Sequence, residues 1–284
     1  MEPGLPSRTA LGAAAHRAVH QELEGGRILR DPLALRILGP EAQAALREAR
    51  SDPSVRPLRL FIAVRTRFAQ DALADALAHG VRQLVILGAG LDTHAYRAPP
   101  AQGLHIFEVD HPATQAWKRE RLAQAAIAVP ATLTFVPIDF ERQALPQALA
   151  TAGFDFALPT FFTWLGVVPY LTPQAVFATL EFIAKLPAGA HVVFDYANPP
   201  DPACADEQIR AVREALEARV ASLGEAFRSR FETSQLLARL RALGFCELED
   251  LGPVVIRQRY FASREGPASD RGGHIVRAAT AGGR

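Results

Sequence analysis

The residues with the clearest chemical content fall at the ends of hydrophobic runs. In RQLVILGAGLDTHAYR, residues 82–97, the apolar stretch Leu84 to Leu87 leads into Gly88-Ala89-Gly90. Glycines directly after a buried strand let a ligand approach the backbone. A dinucleotide fingerprint would carry a third glycine three places after Gly90, and Thr93 stands there, preceded by Asp92. A carboxylate at such a turn disfavours a pyrophosphate and suits a ligand that carries positive charge. A second run, HIFEVD at 105–110, ends in Glu108 and Asp110. These lie about 20 residues after the glycines, where an acid would accept two hydrogen bonds from a ribose diol. A third run ends in Asp139-Phe140, a carboxylate for an exocyclic amine beside an aromatic ring for the face of a base.

Together these groups describe a nucleoside without a pyrophosphate. S-adenosylmethionine fits: it carries adenine, ribose, a sulfonium and an amino acid, and no phosphate. Its carboxylate needs a cation, and Arg65 or Arg67 in VRTRF would supply one from a preceding helix.

The elements that must position these residues follow from periodicity. Helical spacing runs through residues 9–24, 41–50 and 58–79. Strand-like runs at 83–90, 105–110, 132–140, 160–166 and 190–196 then alternate with helical patterns at 111–126, 142–153 and 173–186. Alternation of this kind predicts an α/β fold, a doubly wound, mainly parallel sheet with helices on both faces and an N-terminal helical extension. The expected division is residues 1–80 as the extension or lid and 81–284 as the ligand-binding domain. Helical patterns at 205–224 and 232–243 and a closing strand at 274–281 complete the chain.

Several function classes find no support. The chain has 284 residues and a formal net charge of +1, which gives no lean toward nucleic acid or an anionic membrane. Asn198-Pro199-Pro200 resembles the start of a base-methylation box, but it follows the fifth strand and Asp201, not an aromatic residue, comes next. The uncharged stretch from Phe156 to Leu180 is cut by Pro159, Pro169 and Pro173, so it does not read as a membrane span. The N-terminal residues hold no apolar run of signal-sequence length. Cys204 and Cys246 lie outside any paired spacing and read as free thiols of a reducing compartment, so the expectation is a cytoplasmic protein. There is no GxSxG, no HExxH and no Tyr-x-x-x-Lys, and no metal is expected.

VILGAGLDTHAYR, FEVDHPATQAWKRERL, VPIDF and PYLTPQAV, in this order and spacing, resemble the leucine carboxyl methyltransferase family, in its bacterial branch of S-adenosylmethionine-dependent O-methyltransferases. SRTALGAAAHRA, RDPLA and VRTRFAQD resemble the same branch. The resemblance implies a class I methyltransferase-like fold with S-adenosyl-L-methionine as cofactor. It implies that Arg65 holds the methionine carboxylate, that Gly88 packs against the cofactor, that Asp110 binds the ribose, and that Asp139 and Phe140 flank the adenine; Gly90 joins the cofactor-binding set from the glycine turn itself. Two positions depart from the family's pattern: His94 stands where Arg is usual, and Leu165 where a Glu is often found.

The implied reaction is O-methylation of a small-molecule carboxylate or hydroxyl by in-line transfer, without metal. A carboxylate acceptor is already ionised at neutral pH and needs no base; a phenol would profit from one, and His94 and His111 follow strand ends. No catalytic base is assigned. Arg17, Tyr170, Tyr196 and Asn198 are the candidate acceptor contacts. The alternative is a protein that binds the cofactor without catalysis, as a sensor or partner. The acceptor's identity and the oligomeric state are left open by the sequence.

Overall fold

The computed structural model describes residues 7–97, 103–139, 143–201, 207–222, 226–261 and 269–282. Its centre is a seven-stranded sheet: β1 (Gln83–Leu87), β2 (His105–Asp110), β3 (Leu133–Pro137), β4 (Thr160–Trp164), β5 (Ala190–Ala197), β6 (Phe245–Leu251) and β7 (Gly273–Thr280). The spatial order is β3-β2-β1-β4-β5-β7-β6, parallel from β3 to β5, with β7 antiparallel to both β5 and β6. The strand order reverses between β1 and β4. Their carboxyl ends therefore flank the crevice where ligands of doubly wound sheets bind.

Strand alternation divides the core. Val85, Leu87, Phe162, Trp164, Val192 and Phe194 face α6 (Leu145–Thr151), α7 (Pro173–Ala184) and α9 (Thr233–Leu243). Leu84, Ile86, Ile106, Phe161 and Val193 face α3 (Arg56–Ala78) and α10 (Pro253–Tyr260). The five parallel strands are apolar on both faces because helices cover both. Leu236 and Leu240 of α9 are buried at helical spacing, and the helix stops at Gly244, whose φ of 109° suits a residue without Cβ. Also helical are α4 (His94–Arg97), α5 (Pro112–Gln124) and α8 (Glu207–Ser222).

The N-terminal extension holds α1 (Arg8–Leu23) and α2 (Gln43–Ser51). Alanine-rich α1 is capped by Ser7, whose hydroxyl accepts from Ala10 N at 3.1 Å. Ala15, Ala18 and Val19 pack on Leu46 and Ala49 of α2. Ala14, Leu33 and Ile37 share a second cluster with Leu91 and Leu122, next to the glycine turn and on α5. α3, inside the expected extension, lies on the sheet and supplies much of that face's core. Residues 245–251, without a pattern that marks them beforehand, form β6, and Pro253–Tyr260 form a helix that periodicity did not predict. No described helix is long and apolar enough to cross a membrane.

Candidate functional site

The glycine turn is built by two left-handed residues. Gly88 has φ +65° and Gly90 φ +46°, a region that costs an L-residue about 1–2 kcal/mol. The backbone N–H groups of Gly88 and Ala89 both donate to Val109 O, at 2.8 and 3.2 Å, so the turn folds over the end of β2. A Cβ on Gly88 would collide with the Val167 side chain, and one on Gly90 would lie 3.0 Å from Ala10 Cβ. The turn is thus packed between the segment after β4 and the start of α1.

Asp110 closes β2. Its Oδ2 accepts from Gly90 N, and its Oδ1 accepts from His111 N at 2.6 Å. Burial pushes its carboxyl up, against those two amides. Each oxygen keeps a further lone pair, so the group can still accept from a diol. Ile138 N donates to Asp110 O at 2.8 Å, which brings the end of β3 and half-buried Asp139 beside it. Asp139 N donates to Gln143 Oε1 at 2.9 Å. Phe140 lies outside the described residues.

Glu108, two residues earlier on β2, does not reach the rim. It is 1% exposed, 2.8 Å from Lys118 Nζ and 2.9 Å from the Tyr96 hydroxyl that donates to it. Burial pushes its carboxyl up, with Lys118 pulling the other way. Of the two acids in FEVD, Asp110 alone stands at the carboxyl end of the strand. Asp92 is half-buried, and its Oδ1 accepts from His94 N at 2.7 Å at the start of α4. Burial would raise it, but Arg17, Lys118, Arg97 and His94 outweigh that and hold the carboxyl below its ordinary value.

On the other side of the crevice, Arg65 projects from α3. Its Nη1 donates to Asp195 Oδ2 at 2.9 Å, and the same carboxylate's Oδ1 accepts from Gly166 N at 2.6 Å. Arg65 Nε is buried with no hydrogen-bond partner among the described residues. A buried guanidinium N–H left over in this way is costly, and it lies on the edge that a carboxylate engages bidentately. Asp195 and Gly166 were not anticipated from the sequence. The available signal was a lone acid in the mostly apolar strand AHVVFDYA, which demands a buried partner.

Leu165 lies on the α3 face, and with His94 it lines one small cavity. Thr66, Gln70, Asp92 and Thr163 share its wall. Its volume is about 20 Å³, room for roughly one water molecule, and Gln70 Nε2 beside it has no partner among the described residues. The two departures from the family's pattern are therefore neighbours in space. Burial pushes the His94 imidazole down, with Asp92 opposing. His111 caps α5, accepting from Ala113 N at 3.3 Å.

Three of the four candidate acceptor contacts are engaged inside the fold. Arg17 is 7% exposed; its Nη2 donates to Leu91 O at 2.6 Å and its Nε faces Asp31 at 3.4 Å. This places it behind the glycine turn. Tyr196 is 2% exposed, with its hydroxyl 2.9 Å from Asp250 Oδ1 and 3.0 Å from Thr233 Oγ1. Asn198 Nδ2 donates to Phe231 O at 2.9 Å, and its Oδ1 accepts from Gly272 N at 3.2 Å. Tyr170 is half-buried, its ring 5.4 Å from that of Phe227. Among the described residues no group of three or more His, Cys, Asp or Glu is placed to hold a metal.

Residues 10–184 match the leucine carboxyl methyltransferase family. A Bacillus subtilis protein assigned as an S-adenosyl-L-methionine-dependent methyltransferase is 34% identical over 71% of this chain and 66% of its own length. A Frankia alni protein assigned likewise is 37% identical over 66% of this chain and 67% of its own. The chain thus aligns with about two thirds of each relative's length. Among solved structures, one assigned as a methyltransferase from Thermobifida fusca superposes with a TM-score of 0.58, at 16% identity, over 98% of this chain and 96% of that one. That likeness speaks for the fold, a class I methyltransferase sheet.

Proposed function

Because the chain belongs to the leucine carboxyl methyltransferase family, whose cofactor is S-adenosyl-L-methionine, we propose that this methyltransferase acts on oxygen, converting a small-molecule carboxylate to its methyl ester. The acceptor oxygen attacks the methyl carbon, the S–CH3 bond breaks with its electron pair left on sulfur, and S-adenosylhomocysteine and the ester leave.

The residues present suit that cofactor. Arg65 offers its unpartnered Nε edge to the methionine carboxylate. Gly88 and Gly90 form the left-handed turn at the crevice, against which Val167 and Ala10 pack; Asp110 receives the ribose hydroxyls, and Asp139 meets the adenine. Their task is positioning, which in well-oriented systems supplies up to about 7–11 kcal/mol of a barrier.

The acceptor reading rests on one observation: neither histidine at the strand ends stands ready as a base. His111 is engaged as a helix cap, and His94 lines the small cavity under α3, beside Asp92. An acceptor that arrives ionised needs neither, and a carboxylate of ordinary pKa, about 4, does so. Tyr170, half-buried after β4 beside Phe227, is one of the candidate acceptor contacts.

Two measurements test this. Calorimetry should show specific binding of S-adenosylhomocysteine, weakened in Asp110→Ala by about 2–3 kcal/mol as diol and amides lose their acceptor; unchanged affinity would refute the ribose assignment. Labelled cofactor with a panel of carboxylic acids and phenols should give a product hydrolysed by mild alkali, at a rate nearly flat above pH ~6. An alkali-stable product with rate climbing from pH 6 to 9 would move the acceptor to a hydroxyl. Binding without turnover on any acceptor would favour a non-catalytic sensor.

A further inference from the structure

We propose that Asp195 is a positioning residue for the cofactor's amino-acid end, acting through Arg65 and the turn after β4. This rests on the reading of Arg65 as the carboxylate's partner. Period two along β5 sends Val193 and Asp195 to the α3 face, while Val192, Phe194 and Tyr196 go to the other. Asp195 is thus a 4% exposed acid in the layer that α3 covers, and Arg65 on α3 meets it.

The carboxylate uses both oxygens, on two different parts of the crevice. Oδ2 takes one N–H of Arg65 Nη1 at 2.9 Å, and Oδ1 takes Gly166 N at 2.6 Å. The two are brought into contact in consequence. Gly166, at φ +72°, has the guanidinium where a side chain would be: a Cβ would lie within 3.0 Å of Cζ and both terminal nitrogens. One residue further, Val167 packs on Gly88 of the glycine turn. Asp195 therefore fixes the guanidinium plane and the stretch of chain that presses on the turn.

The division of the guanidinium is the decisive feature. Asp195 engages Nη1 and leaves Nε buried without a partner. A free arginine has many rotamers to lose on binding. One held by Nη1 from below presents its Nε edge in a single orientation, ready for a second carboxylate. The pair is not there to neutralise a stray charge, since a buried ion pair contributes little stability over an apolar pair of similar shape.

The test compares S-adenosylhomocysteine with 5′-methylthioadenosine, which keeps adenosine and thioether but lacks the amino-acid end. The protein as it stands should bind the first more tightly, and Arg65→Ala should abolish that preference; if either fails, the reading of Arg65 fails, independently of Asp195. Asp195→Asn should bind 5′-methylthioadenosine within about twofold of the parent and cut the preference at least tenfold. Asp195→Glu, which keeps the charge and moves it by one methylene, should fold even where the amide variant does not, and should cut the preference several-fold. Equal weakening of both ligands would reduce Asp195 to a brace of the β4 turn and overturn the proposal. Preference retained in both variants, or increased because Asp195 competes for the guanidinium, would overturn it as well.

Discussion

The two edges of β5 hold buried polar groups of similar kinds and treat them oppositely. Toward β6 and β7 the network is closed. Tyr196 hydroxyl bonds Asp250 Oδ1, Asp250 Oδ2 meets His274 Nδ1 at 2.8 Å, and His274 Nε2 meets Asp270 O at 2.9 Å. Asn198 ties Phe231 to Gly272 in the same layer. Toward β4 and β1 the network is open. Arg65 Nε and Gln70 Nε2 stay unpartnered among the described residues although both are buried. A protein interior rarely leaves such groups unmatched. The closed side spends its hydrogen bonds on holding the antiparallel edge, whereas the open side leaves these two donors unmatched among the described residues.

The largest expected effect lies on the open side, at Gly88. Gly88→Ala adds a Cβ that collides with Val167 at φ +65°. Left-handed strain of about 1–2 kcal/mol and overpacking of about 1–3 kcal/mol should both appear. S-adenosylhomocysteine affinity should collapse along with part of the stability. A variant with parental melting and parental affinity would show that the turn is not the cofactor's seat.

On the closed side Tyr196→Phe should do the reverse. It removes the donor to Asp250 and leaves a buried acceptor, at a cost of about 1–3 kcal/mol in unfolding free energy. Burial pushes the Tyr196 phenol up, beyond any working pH, so the hydroxyl acts only as a hydrogen-bonding group. Denaturant titration should show the loss, while cofactor affinity stays within twofold. A variant of full stability and impaired binding would erase the contrast between the two edges.

That contrast also explains what was legible in the sequence. The run Leu84 to Leu87 followed by two glycines, and the acid ending β2, are local patterns with one structural meaning, and the fold places them as a crevice in a doubly wound sheet. Glu108 and Asp110 share a face by period two, but only depth in the strand separates a rim residue from one paired with Lys118, and depth depends on α5. Asn198 does follow the fifth strand, whereas Tyr196 lies within it. Their partners come from residues 231–274, brought across by the antiparallel return of β7, which no local pattern announces. The Arg65–Asp195 pair joins residues 130 apart in sequence, and only the lone acid in a mostly apolar strand hinted at it.

The smallest expected effect sharpens the open side through pH. Burial holds the His94 imidazole below its ordinary value of 6.5, Asp92 notwithstanding. The unfolded chain therefore takes up this proton at a higher pH than the folded one. Between the folded value and 6.5 the unfolded state binds more protons, so stability falls as pH drops through that window and is fully present above it. His20 is lowered too, chiefly by burial, while Asp110 and Glu108 are raised by burial and slope the other way. The total profile thus mixes signs, and the informative quantity is a difference. His94→Gln keeps a polar side chain against Gln70 and the cavity while removing one titration. The stability of the parent minus that of the variant, measured by denaturant at steps from pH 5 to pH 7.5, should rise with pH and level off above about 6.5. A flat difference would mean that His94 is solvated in the folded state, and the cavity beneath the turn would then be open to bulk water. A difference that falls with pH would mean that Asp92 holds the imidazole charged, making the pair a fixed dipole under the glycine turn.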